Sequence, residues 1–140
     1  MTGPVHGPVI VVGVDGSEES RKALLWAADQ ATLTHAQLRV VSAWYVHVGY
    51  GFPPMLAVSY EEPARRALEA ALAALGSSPP CSVEAELKQG HPRQVLVDSS
   101  ADADLLVIGS RGLGGFAGML LGSVSEHCAC HANCTVVIVR

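Results

Sequence analysis

The sequence predicts an α/β fold of the Rossmann-like type: a five-stranded parallel sheet with helices on both faces. Short, continuous apolar runs rich in Val and Ile alternate with longer segments whose apolar residues recur at helical spacing. The resulting order, β-α-β-α-β-α-β-α-β, winds into a parallel sheet when the connections are right-handed. With 140 residues, of which 49% are hydrophobic and 16% charged, the chain can bury one core. We therefore expect a single domain over residues 1–140, with a flexible N-terminus at 1–8.

The first half of the chain contains two predicted strands and two predicted helices. Val9–Val14 is a β-branched run, and Ser17–Leu33 follows as a helix whose first residue is a typical N-cap. Leu38–Tyr45 is the second strand. Val46–Val58 contains two Gly and a Pro-Pro pair, which predicts a loop, and we interpret it as a mobile lid over the site. Ser59–Leu75 has leucines at helical spacing and forms the second helix.

The second half repeats the alternation and ends on a strand. Val83–Leu87 alternates apolar and polar residues, as a strand with one face in water does. Pro92–Ser99 begins with proline at a first helical position and is a short helix. Asp104–Ile108 is the fourth strand, Gly122–His131 the last helix and Thr135–Val139 the fifth strand. In such sheets, ligands bind beyond the carboxyl ends of the strands, where the strand order reverses.

The segment between the fourth strand and the last helix carries the clearest functional signal. Six of the fourteen residues from 109 to 122 are glycine. Glycines permit positive φ and leave backbone amides accessible to an anion, and the helix that follows presents unpaired N–H groups. Ser123 and Ser125 add hydroxyl donors at that helix start. We interpret the segment as a phosphate-binding loop; the alternative is a long surface loop without a ligand.

This loop differs from the two best-known nucleotide signatures. Gly122-Ser123 lacks the lysine of a Walker A loop, and the break after the first strand has one glycine where a dinucleotide fingerprint needs three. Arg111 is the one cation in the loop. Since a lysine would normally neutralise the terminal phosphates during transfer, the loop indicates a site that holds a nucleotide rather than cleaves it.

The spacing of Gly109, Gly112, Gly122 and Ser123 is G-x2-G-x9-G-S, and it resembles the ATP-binding branch of the universal stress protein family. The resemblance extends over nearly the whole chain and includes the first-strand end Val14-Asp15-Gly16-Ser17. It implies strand order 3-2-1-4-5 in an adenine nucleotide alpha hydrolase-like sheet. It also implies ATP as the ligand, and because the Asp15 carboxylate would repel a triphosphate, we expect Mg²⁺ or Mn²⁺ to accompany it.

The resemblance assigns a role to twelve residues. The phosphates would lie against the glycine loop and the helix that follows it, the acidic residue of the first strand would lie near ribose and phosphates, and Ala43 and Ile108 would contact adenine. The twelve are Gly13, Val14, Asp15, Ala43, Ile108, Gly109, Arg111, Gly112, Gly122, Ser123, Val124 and Ser125.

Three groups of residues leave alternatives open. Asp15 would bind ribose hydroxyls or a phosphate-bound cation, or it would only cap the first helix alongside Ser17. The His and Cys residues between 127 and 134 invite a zinc site, but the absence of a C-x2-C pair favours buried, apolar cysteines. The aromatic residues Trp44, Tyr45 and Tyr50 would stack on adenine or belong to the core.

Charge and composition limit the partners and the location. Nine Lys and Arg against thirteen Asp and Glu give a net charge of −4, which argues against nucleic acid. We expect no signal peptide, because residues 1–8 contain no Lys or Arg, and no membrane span. A cytoplasmic regulatory protein of the stress-response type fits these features. Two rival functions are slow ATP hydrolysis and the sensing of another adenine ligand such as cyclic AMP.

The last strand predicts how the chain assembles. Thr135–Val139 would lie at a sheet edge, and it contains neither lysine nor proline. Such an edge favours aggregation unless it is paired or covered. The resembling family dimerises through its last strand, and Thr135, where that family often has proline, supplies one more backbone donor. We therefore expect a homodimer formed by this strand.

Overall fold

A computed structural model describes residues 7–49, 56–113 and 118–140. Within these residues, seven strands, four α-helices and one 3-10 turn, Ser100–Asp102, follow one another. The strands are β1 (Val9–Gly13), β2 (Gln37–Trp44), β3 (Val46–Gly49), β4 (Leu56–Ser59), β5 (Val83–Gln89), β6 (Leu105–Gly109) and β7 (Thr135–Val139). The helices are α1 (Glu18–Thr34), α2 (Glu61–Leu75), α3 (Pro92–Ser99) and α4 (Ser123–His131).

Five of the strands form one parallel sheet in the order β5-β2-β1-β6-β7. Because β5, β6 and β7 are the third, fourth and fifth predicted strands, this arrangement confirms the expected order 3-2-1-4-5. The order reverses beside β1, where β2 lies on one side and β6 on the other. The carboxyl ends of β1, β2 and β6 therefore converge on one edge of the sheet.

Two apolar cores cover the two faces of the sheet. On one face, α1 and α2 pack against the side chains of Ile10 and Val12. On the other, α3 and α4 pack against Val11. The buried surface of α1 consists largely of alanine, and these small side chains let the helix approach the sheet closely.

The sequence predicts that Val46–Val58 is a loop throughout. That prediction is wrong for the two ends of the segment. Val46 pairs with Ser59 and His47 with Val58, so β3 and β4 form an antiparallel hairpin. The amide of Tyr60 donates to the carbonyl of Tyr45 at 3.0 Å and closes the base of the hairpin. The alternation of apolar residues in the two arms is short. The glycines and prolines between the arms made a loop the expected structure.

The tip of this hairpin, residues 50–55, lies outside the described residues, and Tyr50 lies there too. A mobile lid over the site therefore stays a prediction. The second helix also begins slightly later than expected, at Glu61.

The two outer strands of the sheet differ in chemistry. β5 carries Glu84, Glu86 and Lys88, and the guanidinium of Arg39 on β2 lies 3.9 Å from a carboxylate oxygen of each glutamate. β7 carries no charged residue. The carbonyl of Val139 accepts from the amide of Ser110 at 2.8 Å, so alternate residues of β7 direct their backbone polar groups toward β6.

Within the described residues, no helix is both long and apolar enough to cross a membrane.

Candidate functional site

A cavity of about 840 Å³ lies at the carboxyl ends of β1, β2 and β6. Its volume falls in the range of about 300–1,000 Å³ that is usual for small-molecule sites. All twelve residues predicted from the sequence line it: Gly13, Val14, Asp15, Ala43, Ile108, Gly109, Arg111, Gly112, Gly122, Ser123, Val124 and Ser125. The fold thus brings together residues that lie up to 112 positions apart in the chain, from 13 to 125.

One end of the cavity is formed by the start of α4. Gly122 is the N-cap residue, and its amide donates to the carbonyl of Ser110 at 2.6 Å. The next three amides, from Ser123 to Ser125, belong to the first turn of the helix, where no preceding turn offers them an acceptor. Together with the positive end of the helix dipole, they form a set of donors suited to an anion.

The hydroxyl of Ser125 has a structural role that differs from the expected one. It is buried and lies 2.9 Å from the carbonyl oxygen of Ser110 and 3.0 Å from that of Gly122, either of which accepts its proton. The hydroxyl therefore holds the loop against α4. Ser123, in contrast, is exposed at the cavity.

Three described glycines of the loop are required by space and not by positive φ, which corrects the expectation from the sequence at these three positions. Gly109, Gly112 and Gly122 all have φ outside the left-handed region. A Cβ at Gly109 would lie 2.8 Å from the backbone carbon of Glu19, and one at Gly112 would lie 2.7 Å from a carboxylate oxygen of Asp15. At Gly122 the nearest atom, the Cα of Arg111, would be 3.3 Å away. Side chains are absent because α1, Asp15 and the loop itself lie so close.

Asp15 joins the start of α1 to the glycine loop. One carboxylate oxygen accepts from the amide and the hydroxyl of Ser17, at 2.9 and 2.5 Å. The other accepts from the amide of Leu113 at 3.2 Å. Ser17 itself caps the helix, because its hydroxyl oxygen accepts from the amide of Ser20 at 3.1 Å. Asp15 is exposed, and the oxygen that accepts from Leu113 has capacity for a further partner.

The charges at this end of the cavity are mostly negative. Asp15 and Glu126 line it, and so does Arg111. The guanidinium of Arg111 lies 3.6 Å from a carboxylate oxygen of Glu19, which also lies 3.8 Å from the ammonium of Lys22. The donors of this end are therefore backbone amides more than cationic side chains.

The opposite end of the cavity lies at the end of β2 and the start of α3. Its lining side chains are mostly aromatic and carry no formal charge. Tyr45, Tyr60 and His91, here called the aromatic wall, all line the cavity. The ring centroids of Tyr45 and Tyr60 are 5.0 Å apart, and those of Tyr45 and His91 are 5.4 Å apart and stacked. Pro92 and Leu96 of α3 continue this surface.

His91 also caps α3, a contact that favours the neutral ring. Its Nδ1 accepts from the amide of Arg93 at 3.3 Å, so the single proton of the neutral ring is on Nε2. Burial lowers the pKa of His91, and the nearby charges of Arg93 and His127 lower it further.

Sequence reasoning missed Tyr60 and His91 and weighed Tyr45 without deciding. Tyr45 lies on the cavity, whereas Trp44 is outside its lining. Tyr60 lies inside the predicted second helix and His91 just before the predicted third one, and neither position carries a motif. The available signal was positional, since His91 follows a strand at the same sheet edge as Tyr45.

The His and Cys residues of α4 do not form a metal centre within the described parts of the chain. The rings of His127 and His131 have centroids 4.5 Å apart, but no group of three His, Cys, Asp or Glu side chains in residues 7–49, 56–113 and 118–140 is placed to hold an ion. Cys128 is fully buried in the core, which raises the pKa of its thiol to about 11 and confirms its interpretation as an apolar residue.

Comparison with known protein families gives a match over residues 8–140 to the universal stress protein family. Two universal stress proteins of Mycobacterium tuberculosis, Rv2005c and Rv2623, are each 36% identical to this chain, over 96% and 94% of its length. The matched regions are 48% and 47% of those relatives, so the chain spans about half the length of the curated relatives it matches.

Solved structures give the same result for the fold. A universal stress protein in complex with cAMP is 30% identical, with a TM-score of 0.72 over 96% of this chain and 98% of that one. The universal stress protein from Archaeoglobus fulgidus in complex with dAMP is 23% identical, with a TM-score of 0.67 over 97% and 99% of the two chains. This second likeness shows the fold alone.

Proposed function

This chain belongs to the universal stress protein family, and we propose that it is a regulatory module that binds an adenine nucleotide, ATP with a divalent cation, in the glycine-rich loop. The observation that carries the proposal is the division of the cavity into two chemically different ends. Backbone amides at the start of α4 suit a phosphate chain. The aromatic wall at the other end suits an uncharged planar base.

The residues present fit a nucleotide in size, charge and access. Gly112 and Gly122 place no side chain beside the amides of the first turn of α4, and a Cβ at either position would crowd Asp15 or the loop backbone. Ala43 and Ile108 place small and apolar surfaces between the phosphate end and the aromatic wall. A ligand that is anionic at one end and aromatic at the other matches both surfaces at once.

The divalent cation follows from the charge balance. Asp15 and Glu126 would repel a triphosphate, and Arg111 is held near Glu19. A Mg²⁺ or Mn²⁺ ion bound with the phosphates would offset this repulsion, and carboxylate oxygens are the ligands that such ions take from proteins. Asp15 is the residue that would hold the ion, because its carboxylate lies between α1 and the loop.

Cyclic AMP is the second candidate ligand. It is supported by the 30% identical universal stress protein that was solved in complex with cAMP. Cyclic AMP carries a single negative charge, so it would meet less repulsion from Asp15 and Glu126 without a cation.

The same proposal includes a homodimer in the cytoplasm. β7 lies at the edge of the sheet and has no charged residue. Pairing of β7 with the β7 of a second copy would cover both edges. The four cysteines are free thiols, as they would be in a reducing compartment.

The deciding experiment identifies the nucleotide that the protein carries. Purified protein is denatured and the released small molecules are identified by mass, and the emptied, refolded protein is titrated with ATP, ATP plus Mg²⁺, and cyclic AMP. We expect ATP to bind more tightly with Mg²⁺ than without it. Tighter binding of cyclic AMP would favour the second candidate, and release of inorganic phosphate during the ATP titration would show hydrolysis. Failure of all three ligands to bind would refute the proposal.

A further inference from the structure

We infer that Tyr60, supported by Tyr45 and His91, stacks on the base of the bound nucleotide and makes the site select a nucleotide over a phosphate chain alone. The inference rests on the proposed function, and it assigns a role to a residue outside the glycine-rich loop and outside the twelve residues predicted from the sequence.

The position of the aromatic wall matches the length of a nucleoside monophosphate. Tyr45 follows β2, whereas the glycine loop follows β6, and β1 lies between these two strands. Since neighbouring strands are about 4.8 Å apart, the two ends of the cavity are separated by roughly 10 Å. A ligand whose phosphate lies on the first turn of α4 and whose sugar crosses β1 therefore places its base at the wall.

The wall is assembled from three separate elements, which fixes its geometry. Tyr45 follows β2, Tyr60 joins β4 to α2, and His91 begins α3. The amide of Tyr60 is bonded to the carbonyl of Tyr45 at 3.0 Å, and the carbonyl of Tyr60 accepts from the amide of Ala64 at 3.3 Å. Tyr45 contacts both other rings. Among the described residues, no ring contact joins Tyr60 to His91. Tyr45 is thus the inner member of the wall.

Tyr60 is the larger of the two exposed rings of the wall, since His91 is exposed as well and Tyr45 is half-buried. It is 39% exposed although it is a large aromatic residue, and it lines the cavity. A stacked base would remove this surface from water, and a base–aromatic contact is a favourable interaction that tolerates any planar ring. Tyr45 acts as a positioning residue that contacts both exposed rings, and neither Tyr45 nor the neutral form of His91 brings a formal charge to this end of the cavity.

The rival explanation is that Tyr60 only closes the β3–β4 hairpin. The two explanations differ in which ligands respond to its removal. A stacking residue affects ligands with a base and leaves ligands without one unchanged. A residue that only supports the hairpin affects both equally or neither.

The test measures binding of ATP, adenosine and inorganic tripolyphosphate, each with Mg²⁺, to the wild type and to Tyr60→Leu, Tyr60→Phe and Val58→Ala. Val58 is exposed on the same hairpin and is outside the cavity lining, so its variant controls for changes in the hairpin. We expect Tyr60→Leu to weaken ATP and adenosine about tenfold and to leave tripolyphosphate unchanged. Tyr60→Phe, which keeps the ring, and Val58→Ala should match the wild type.

A second readout follows the base directly. Ring currents from Tyr60 should shift the adenine H2 and H8 proton resonances of bound nucleotide upfield, and Tyr60→Leu should remove that shift. Equal losses for ATP and tripolyphosphate, or no loss for ATP, would overturn the inference while leaving the proposed function intact. If the wild type binds none of the nucleotides, the proposed function itself fails.

Discussion

Replacing Gly122 by valine tests the phosphate end of the cavity most directly. The backbone there has φ −75° and ψ 167°, an extended conformation that valine adopts without strain. The added Cβ, however, would lie 3.3 Å from the Cα of Arg111 and 3.5 Å from both the amide of Gly112 and the carbonyl of Ser110. The loop must therefore move by a few tenths of an ångström, and the branched side chain fills space beside the first turn of α4.

The structure allows the effect of Gly122→Val on the free energy of unfolding to be estimated separately from its effect on ATP binding. Overpacking of this kind costs about 1–3 kcal/mol, which a domain with a stability of about 5–15 kcal/mol survives. Each charge-assisted hydrogen bond from an amide to a phosphate contributes about 1.5–3 kcal/mol. Loss of two of them removes at least about 3 kcal/mol, so we expect Gly122→Val to weaken ATP binding more than about 100-fold.

Calorimetric titration with ATP and Mg²⁺, together with thermal melting of the same samples, measures both costs. Gly7→Ala is the matched control, because its Cβ would meet only the carbonyl of His35 at 3.8 Å, an ordinary contact far from the cavity. Gly122→Ala should give an intermediate loss. A folded Gly122→Val protein with wild-type affinity for both ATP and cyclic AMP would refute the assignment of the phosphate end.

Three further perturbations follow from contacts described above. Gly109→Ala should lower the free energy of unfolding by about 1–3 kcal/mol, because its Cβ would lie 2.8 Å from the backbone of Glu19; urea denaturation measures this. The pKa of His91 is lowered by burial first, so its contribution to stability is present above its unfolded pKa of about 6.5 and is lost as the pH falls below it. His91→Asn, which keeps a capping side chain, should reduce the acid-dependent loss of stability between pH 7.5 and 5. Val136→Pro removes a backbone N–H directed away from β6, and in a two-fold dimer the loss of two hydrogen bonds, about 2 kcal/mol, should raise the dimer Kd roughly 30-fold by sedimentation.

Each of these three has an outcome that would count against its reasoning. Unchanged urea denaturation of Gly109→Ala would mean that α1 does not lie against β6 as described. Identical pH profiles for the wild type and His91→Asn would show that the cap of α3 does not titrate. Val136→Ala, which shortens the side chain but keeps the N–H, is the control for the edge strand, and equal dissociation of both variants would exclude backbone pairing by β7.

The sheet was predictable because the pattern of apolar residues in each strand indicates which of its faces are buried. Val9–Val14 and Leu105–Ile108 are continuous apolar runs, as expected of strands covered on both faces. The twelve candidate residues could be listed in advance because the resemblance to the universal stress protein family, carried by the spaced glycine pattern and the end of the first strand, assigns them their roles. The hairpin was missed because its short arms surround a connection rich in Gly and Pro, and single-sequence patterns emphasise such breakers.

The contacts of Gly109 and Ser125 show what a sequence leaves undetermined. The glycine pattern indicates that side chains are excluded, but only the packing of Glu19 shows that the first turn of α1 is the obstacle at Gly109. Likewise, a serine at the start of a helix predicts a ligand donor, whereas the fold uses the Ser125 hydroxyl internally. Tyr60 joins the site through a hydrogen bond to Tyr45, a tertiary contact that no periodicity encodes.

The unequal edges of the sheet determine whether strand pairing between copies would stop or continue. If β7 of one copy added to β5 of the next, the sheet would grow without end into a filament. The glutamates and the lysine of β5 oppose such head-to-tail growth, as charged side chains on edge strands do. A β7–β7 contact, in contrast, is self-complementary and leaves neither copy with an unpaired apolar edge strand. The distribution of charge between two strands therefore favours a closed pair over a polymer.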